Sequence, residues 1–244
     1  MVEKAVRYEV GGKQFEGMLV YDDSVKTKRP AIFSQPDWKG VCPDTIAQAR
    51  EVAGKDYVVL LADMYGVGYG AKPKTQDDLR TAAMGLRKNL PFILDGGAKA
   101  HAALTAEADR LGLIDKSKCI AIGYCMGGGV VLEQARAGAD FKGTVVFHVT
   151  LPNPTEPGTK CGIKGRVLAI HGSADPVTPK PQMDALEAEL TEAKVDWQVM
   201  LFGHAVHSFC DPTAPTTGNT PQRYDEKLCR KSYQMMREFF AETL

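Results

Sequence analysis

Gly123-Tyr124-Cys125-Met126-Gly127 stands between an apolar run, Cys119 to Ile122, and a segment from Gly127 through Ala135 that can form a helix. The run reads as a short buried strand, so Cys125 falls at a strand-to-helix turn. Such a turn strains the backbone at its apex, and glycines at 123 and 127 let the two elements approach closely. A helix that begins beside the sulfur presents unsatisfied N–H groups, which favour negative charge. Cys125 is therefore a candidate nucleophile. The other reading of the same residue is a small core thiol after a strand, as free cysteines usually are.

Two later segments bear on that choice. Val167 to His171 is an apolar strand, and Gly172-Ser173-Ala174-Asp175-Pro176-Val177 follows as the loop at its carboxyl end, so Asp175 falls on the rim where sites collect in parallel sheets. Trp197 to Phe202 reads as another strand, and Gly203-His204-Ala205-Val206-His207-Ser208-Phe209 as its loop, from which His207 can face Asp175. Nucleophile, acid and histidine then follow in the chain order that an α/β-hydrolase fold requires. Taken singly, Asp175 could cap a helix starting near Pro179, and His207 could be a loop histidine with satisfied partners.

The rest of the chain fits an α/β architecture with a mostly parallel sheet flanked by helices. Ala5 to Val10 and Phe15 to Tyr21, separated by Gly11-Gly12, predict an antiparallel hairpin. Buried runs at Ala31 to Ser34 and Tyr57 to Ala62 bracket a helix from about Asp44 to Gly54, and Thr144 to Val149 supplies a further strand. Helices are expected from Gln76 to Asn89, again from Ala98, and from Tyr224 to Ala241, the last with an apolar face of Leu228, Met235, Met236, Phe239 and Phe240. Pro152 to Gly162 reads as an irregular loop. A length of 244 residues and a hydrophobic content of 44% suit one domain over residues 1–244.

Thirty basic and thirty acidic residues cancel, so there is no electrostatic footprint for nucleic acid, and Lys26, Lys28 and Arg29 read as a solvated hairpin turn. Met1 to Val10 lacks the apolar run of a secretory signal, and no stretch reaches the length of a membrane span. The cytoplasm is the expected compartment. The six cysteines contain no Cys-x-x-Cys pair and no close metal-ligand spacing, so reduced thiols are expected and neither metal nor cofactor is called for. Cys210 is expected to pack as an ordinary thiol, oxidation against Cys125 being the exception to that reading. His204 and His207, three apart in one loop, make a zinc site a remote reading.

The motifs together resemble the dienelactone hydrolase family, the branch of α/β-hydrolases with a cysteine nucleophile, from about Phe15 to the C-terminal helix. The matching pieces are Pro36-Asp37-Trp38-Lys39-Gly40, Ala62-Asp63-Met64-Tyr65-Gly66, the Gly-Tyr-Cys-Met-Gly turn, His171-Gly172-Ser173-Ala174-Asp175-Pro176 and the Gly203 to Phe209 loop. The resemblance implies a hydrolase for a small-molecule ester or lactone. In it Cys125 attacks the carbonyl, His207 relays protons, Asp175 orients the imidazole, and the backbone N–H groups of Met126 and Trp38 form the oxyanion hole. It also points to Asp37, where the family usually has glutamate, as an aid to thiol ionisation, although a turn residue after Pro36 is an equal reading. Where the founding enzymes carry a carboxylate-binding arginine four residues past the histidine, this chain has Asp211. Arg80 or Arg87 could compensate, though a solvated helix face explains either; Tyr65 and His148 are further candidates for the pocket, with a structural role the main expectation for His148. The alternative to an enzyme is a hydrolase-fold binding or scaffold protein that has lost activity.

Overall fold

A computed structural model describes residues 1–151 and 161–244, so most of the Pro152 to Gly162 segment lies outside the described residues. The chain forms two compact units, Met1–Ile122 and Gly123–Leu244.

The first unit begins with β1 (Val2–Val10) and β2 (Lys13–Tyr21), an antiparallel hairpin paired from Val2↔Tyr21 to Val10↔Lys13. Its turn needs positive φ at both central residues, which Gly11 (57°) and Gly12 (77°) adopt without the clash a Cβ would bring. Then come β3 (Arg29–Gln35), α1 (Pro43–Ala53), β4 (Val58–Leu61), α2 (Gln76–Arg87), α3 (Leu90–Arg110) and β5 (Ile114–Tyr124), which carries the chain into the second unit. Strand order in this unit is β1-β2-β4-β3-β5. β4 pairs antiparallel with β2 and parallel with β3, and all four of its residues are buried, as expected of a strand covered on both faces.

The second unit holds α4 (Met126–Arg136), β6 (Gly143–Phe147), β7 (Arg166–Gly172), α5 (Lys180–Glu192), β8 (Trp197–Phe202) and α6 (Glu226–Thr243). β7 is central, parallel to β6 from Gly143↔Arg166 and to β8 from Val167↔Trp197. The carboxyl ends of these strands therefore point the same way, and the loops after them share one rim. α6 packs against β6 and β7 and buries Met236, Phe239 and Phe240. Each of these side chains contributes roughly 1.5–3 kcal/mol by leaving water.

Four expectations need correction. The second of the two central helices, α3, starts at Leu90 rather than Ala98, because Asn89 Oδ1 accepts the Phe92 N–H and a proline is tolerated in a first turn. The sixth strand stops at Phe147, and His148 leaves it at φ 35°. Arg29 is not in a solvated turn: it is buried at the start of β3, where its N–H donates to the Leu113 carbonyl. The cysteines are not all reduced, since Cys210 and Cys229 form a disulfide across a separation of 19 residues. No local motif announces that bridge; it exists because the loop after β8 returns to the first turn of α6, where the Asp225 N–H donates to the Phe209 carbonyl. With it, thiol usage ceases to argue for a reducing compartment. No described helix is long and apolar enough to cross a membrane.

Gly123 is among the positions in the second unit with least room. A Cβ there would lie 2.3 Å from the Gly127 oxygen and 2.5 Å from the Gly128 nitrogen, backbone atoms that cannot rotate away. Gly123→Ala should therefore destabilise the protein by about 2 kcal/mol or more. Thermal melting checks this; a variant that melts with the wild type would contradict it.

Candidate active site

The turn around Cys125 forms as its spacing predicts. Cys125 is the residue before α4, with φ 54° and ψ −121°, a conformation that only a well-supported non-glycine residue holds. The support is local: its N–H donates to the Phe147 carbonyl at 3.0 Å, and its own carbonyl accepts the N–H groups of Gly128 and Thr150. Met126, the first residue of the helix, is buried beside it.

Asp175 lies in the loop after β7 and is 3% exposed. Its Oδ1 accepts the backbone N–H groups of Val177 (2.7 Å) and Thr178 (3.2 Å), which lie ahead of α5, and the residue before α5 is Pro179. The carboxylate thus shapes its own turn and does not cap that helix. Its second oxygen accepts His207 Nδ1–H at 2.7 Å. On the other side of the ring, His207 Nε2 lies 3.0 Å from Cys125 Sγ. The three sequence-predicted groups are thereby joined in one line, sulfur to imidazole to carboxylate, with all three buried.

The backbone holds His207 in place. Its carbonyl accepts the Arg223 N–H at 2.9 Å, it bridges to Gln222, and three residues later Cys210 is tied covalently to α6. Burial alone would push its imidazole down. Burial is the largest single influence, and it is overcome only by the neighbouring Cys125 sulfur, the hydrogen bonds to Asp175 and Cys125 and the Asp175 charge acting together, which raise His207 to about 10. That shift favours the protonated ring, with Nδ1–H toward Asp175 and Nε2–H toward the sulfur.

A second histidine in the same place behaves oppositely. His171, at the end of β7, is held down by burial and stays neutral, with Nε2–H donating to the Thr178 carbonyl at 2.9 Å. Although Asp175 Oδ2 is only 3.6 Å away, a neutral ring leaves the carboxylate's charge to His207.

The fold stabilises the protonated form of His207. That contribution is complete below its ordinary value near 6.5 and disappears as pH rises through about 10. Serine in place of Cys125 removes the charge on sulfur while burial persists. In Cys125→Ser the ring should titrate well below the wild-type value, which ring-nitrogen NMR reads directly. An unchanged titration would show that sulfur carries no charge there.

The remaining candidates fare differently. His148 is 1% exposed, with its ring edge-on to His207 at 5.3 Å and to Phe209 at 5.2 Å between centroids, so it packs against His207. Asp211 is buried, and its Oδ1 accepts from the backbone N–H (3.0 Å) and hydroxyl (2.8 Å) of Thr213, a turn it helps to close. In the first unit, Asp37 is buried, accepts the Lys39 N–H at 2.8 Å and pairs with the Lys39 ammonium at 3.3 Å, while the Trp38 carbonyl accepts from Tyr69. Tyr65 stacks on Tyr69 at 4.2 Å. Arg80 is exposed and faces Asp77 at 3.6 Å, the solvated helix face expected of it; Arg87 is half-buried in the last turn of α2. His204 is exposed, and its N–H donates to Ser173. Among the described residues, no three His, Cys, Asp or Glu side chains cluster as metal ligands.

Sequence reasoning passed over Thr150 and Thr178. Thr150 Oγ1 lies 3.5 Å from Cys125 Sγ, and Thr178 Oγ1 accepts the Leu151 N–H at 3.3 Å. Neither stands in a recognisable motif. Thr178 could have been suspected only from its place three residues past Asp175.

The dienelactone hydrolase family model matches residues 15–244. Among solved structures, the chain is 33% identical to m3DLH, with a TM-score of 0.90 over 100% of this chain and 98% of the other. It is 32% identical to P91, a dienelactone hydrolase-like promiscuous phosphotriesterase from metagenomic libraries, with a TM-score of 0.89 over 99% and 98% of the two chains. An uncharacterized protein of Caenorhabditis elegans is 29% identical over 130 residues, 53% of this chain and 82% of its own length. With a match that runs from the second strand to the final residue, over a fold shared with such structures, this chain belongs to the dienelactone hydrolase family.

Proposed function

We propose that this protein hydrolyses carboxylic esters or lactones, neutral ones by preference, through a thioester on Cys125. The observation that carries the reading is the buried line from Cys125 Sγ through His207 to Asp175, at 3.0 Å and 2.7 Å.

The thiolate adds to the carbonyl carbon, and the negative charge moves to the carbonyl oxygen. The Met126 N–H, at the start of α4 beside the sulfur, is the donor proposed for that oxygen. Collapse breaks the ester C–O bond, and His207 Nε2–H protonates the departing alkoxide. The neutral ring then takes a proton from water, and the resulting hydroxide adds to the thioester. A second collapse breaks the C–S bond, expels the thiolate beside the imidazolium already formed, and releases the acid. Asp175 accepts from Nδ1–H throughout, keeping Nε2 toward the sulfur. A thiolate departs easily, which suits activated esters and lactones better than amides.

The preference for a neutral substrate rests on Asp211. A carboxylate four residues past His207 repels an anionic group where the founding enzymes attract one. A neutral aryl ester should therefore be turned over with a kcat/KM about tenfold or more above that of a carboxylate-bearing lactone. Steady-state rates on the two substrates test it: preference for the acid would overturn the charge argument, and no turnover of either would favour a scaffold without activity. Because the relative P91 is named a promiscuous phosphotriesterase, a neutral aryl phosphotriester belongs in the same series, as a second electrophile for the Cys125 thiolate.

A further inference from the structure

We infer that the Thr150 hydroxyl is a second hydrogen-bond donor to the Cys125 thiolate and stabilises the sulfur whenever it carries the negative charge. The inference rests on the nucleophilic role proposed for Cys125.

Thr150 is 7% exposed, and its Oγ1 sits 3.5 Å from Cys125 Sγ, within reach of an O–H···S bond. A thiolate has no proton to give, so in the charged state the hydroxyl must be the donor. His207 Nε2–H already approaches the sulfur from its own side, and the hydroxyl supplies a second, charge-assisted contact.

The hydroxyl is also held where it is. Thr150 N–H donates to the Cys125 carbonyl at 2.9 Å, which locks the two residues to each other. The next N–H, that of Leu151, donates to Thr178 Oγ1. Thr178 in turn donates its own N–H to Asp175 Oδ1 and accepts His171 Nε2–H on its carbonyl. Nucleophile and acid are thus linked twice, once through the imidazole and once through this threonine path, and Thr150 is the member of the second path that touches the reacting atom.

The chemical consequence differs between the two halves of the reaction. In acylation the sulfur's electron pair enters the new C–S bond and the hydroxyl loses its charged partner. In deacylation hydroxide adds to the thioester, the C–S bond breaks, and the pair returns to Sγ, where Thr150 O–H and His207 Nε2–H both meet it. Thr150 therefore favours the resting thiolate and helps the thiolate leave, and its loss should slow thioester breakdown more than its formation.

Thr150→Val removes the hydroxyl at constant shape. Iodoacetamide alkylation of Cys125 at neutral pH should fall about tenfold, with its pH profile displaced upward. Intact-mass spectrometry during p-nitrophenyl acetate turnover should show more acyl-enzyme than in the wild type. Thr150→Ser, which keeps the O–H, should restore both. Wild-type alkylation rates, profile and acyl-enzyme level in Thr150→Val would overturn the inference. If valine disturbs folding, as melting would reveal, Thr150→Ala decides by the same readouts. Full turnover in Cys125→Ala would instead fail the nucleophile reading; a dead Cys125→Ala beside an unaltered Thr150→Val would reject the threonine's role alone.

Discussion

Cys125→Ala should lower kcat/KM for a neutral aryl ester by about 10⁴-fold or more while the protein melts close to wild type. The alanine methyl occupies less space than the thiol and adds no backbone demand, because the strained φ of 54° is set by the surrounding carbonyl and N–H partners rather than by the sulfur. On the proposed mechanism, what disappears is the group that forms the covalent intermediate, and with it one of the influences that raise His207. The imidazole then has neither a nucleophile to serve nor a leaving group poised for its proton. His207→Ala should be nearly as damaging, and the double variant no worse than the worse single one, because residues that act as a unit lose their effect together. Steady-state kinetics on the three variants gives the answer. Turnover in Cys125→Ala within about tenfold of wild type would leave the thioester mechanism without support.

Asp175→Asn is expected to be almost as severe, about 10³- to 10⁴-fold, for a different physical reason. Asn keeps an oxygen for the Val177 and Thr178 N–H groups, so the loop survives. The amide nitrogen is then left facing His207 Nδ1, and two donors cannot share that 2.7 Å contact. The ring answers by giving up its Nδ1 proton, which fixes Nε2–H as the only donor and prevents the imidazolium from forming. The pH profile should collapse along with the rate, and ring-nitrogen NMR should find a neutral imidazole at pH 7. A variant that keeps a protonated ring and wild-type rates would show that the carboxylate is only a turn former.

How much of this was readable in the sequence depends on whether the signal is local. The Gly-x-Cys-x-Gly turn, the strand–loop pair ending at Asp175 and the strand–loop pair ending at His207 each announce themselves within about ten residues, because strand periodicity and turn chemistry are short-range. The parallel register of β7 and β8 brings the loop ends at Asp175 and His207 to one rim, and the Cys125 N–H bond to the Phe147 carbonyl, at the end of the parallel β6, ties the third segment to it. The start of α3 was missed because the apolar run from Leu90 to Leu94, with a proline in second place, carries no helical spacing of its own. Arg29 was misread because a charged residue beside two lysines looks solvated until a buried strand is known to start there. Thr150 and the Cys210–Cys229 bridge are contacts between segments far apart in sequence, with no periodicity or motif to mark them.

That bridge carries one further consequence. Closing a loop across 19 residues restricts the unfolded chain by an amount that chain-entropy reasoning puts at about 3 kcal/mol. A dithiol added during purification to keep Cys125 nucleophilic also offers electrons to this second pair of sulfurs. Preparations handled with and without reductant would then differ in how firmly the segment that carries His207 is anchored to the last helix. Comparisons of activity between such preparations measure two covalent forms of one polypeptide.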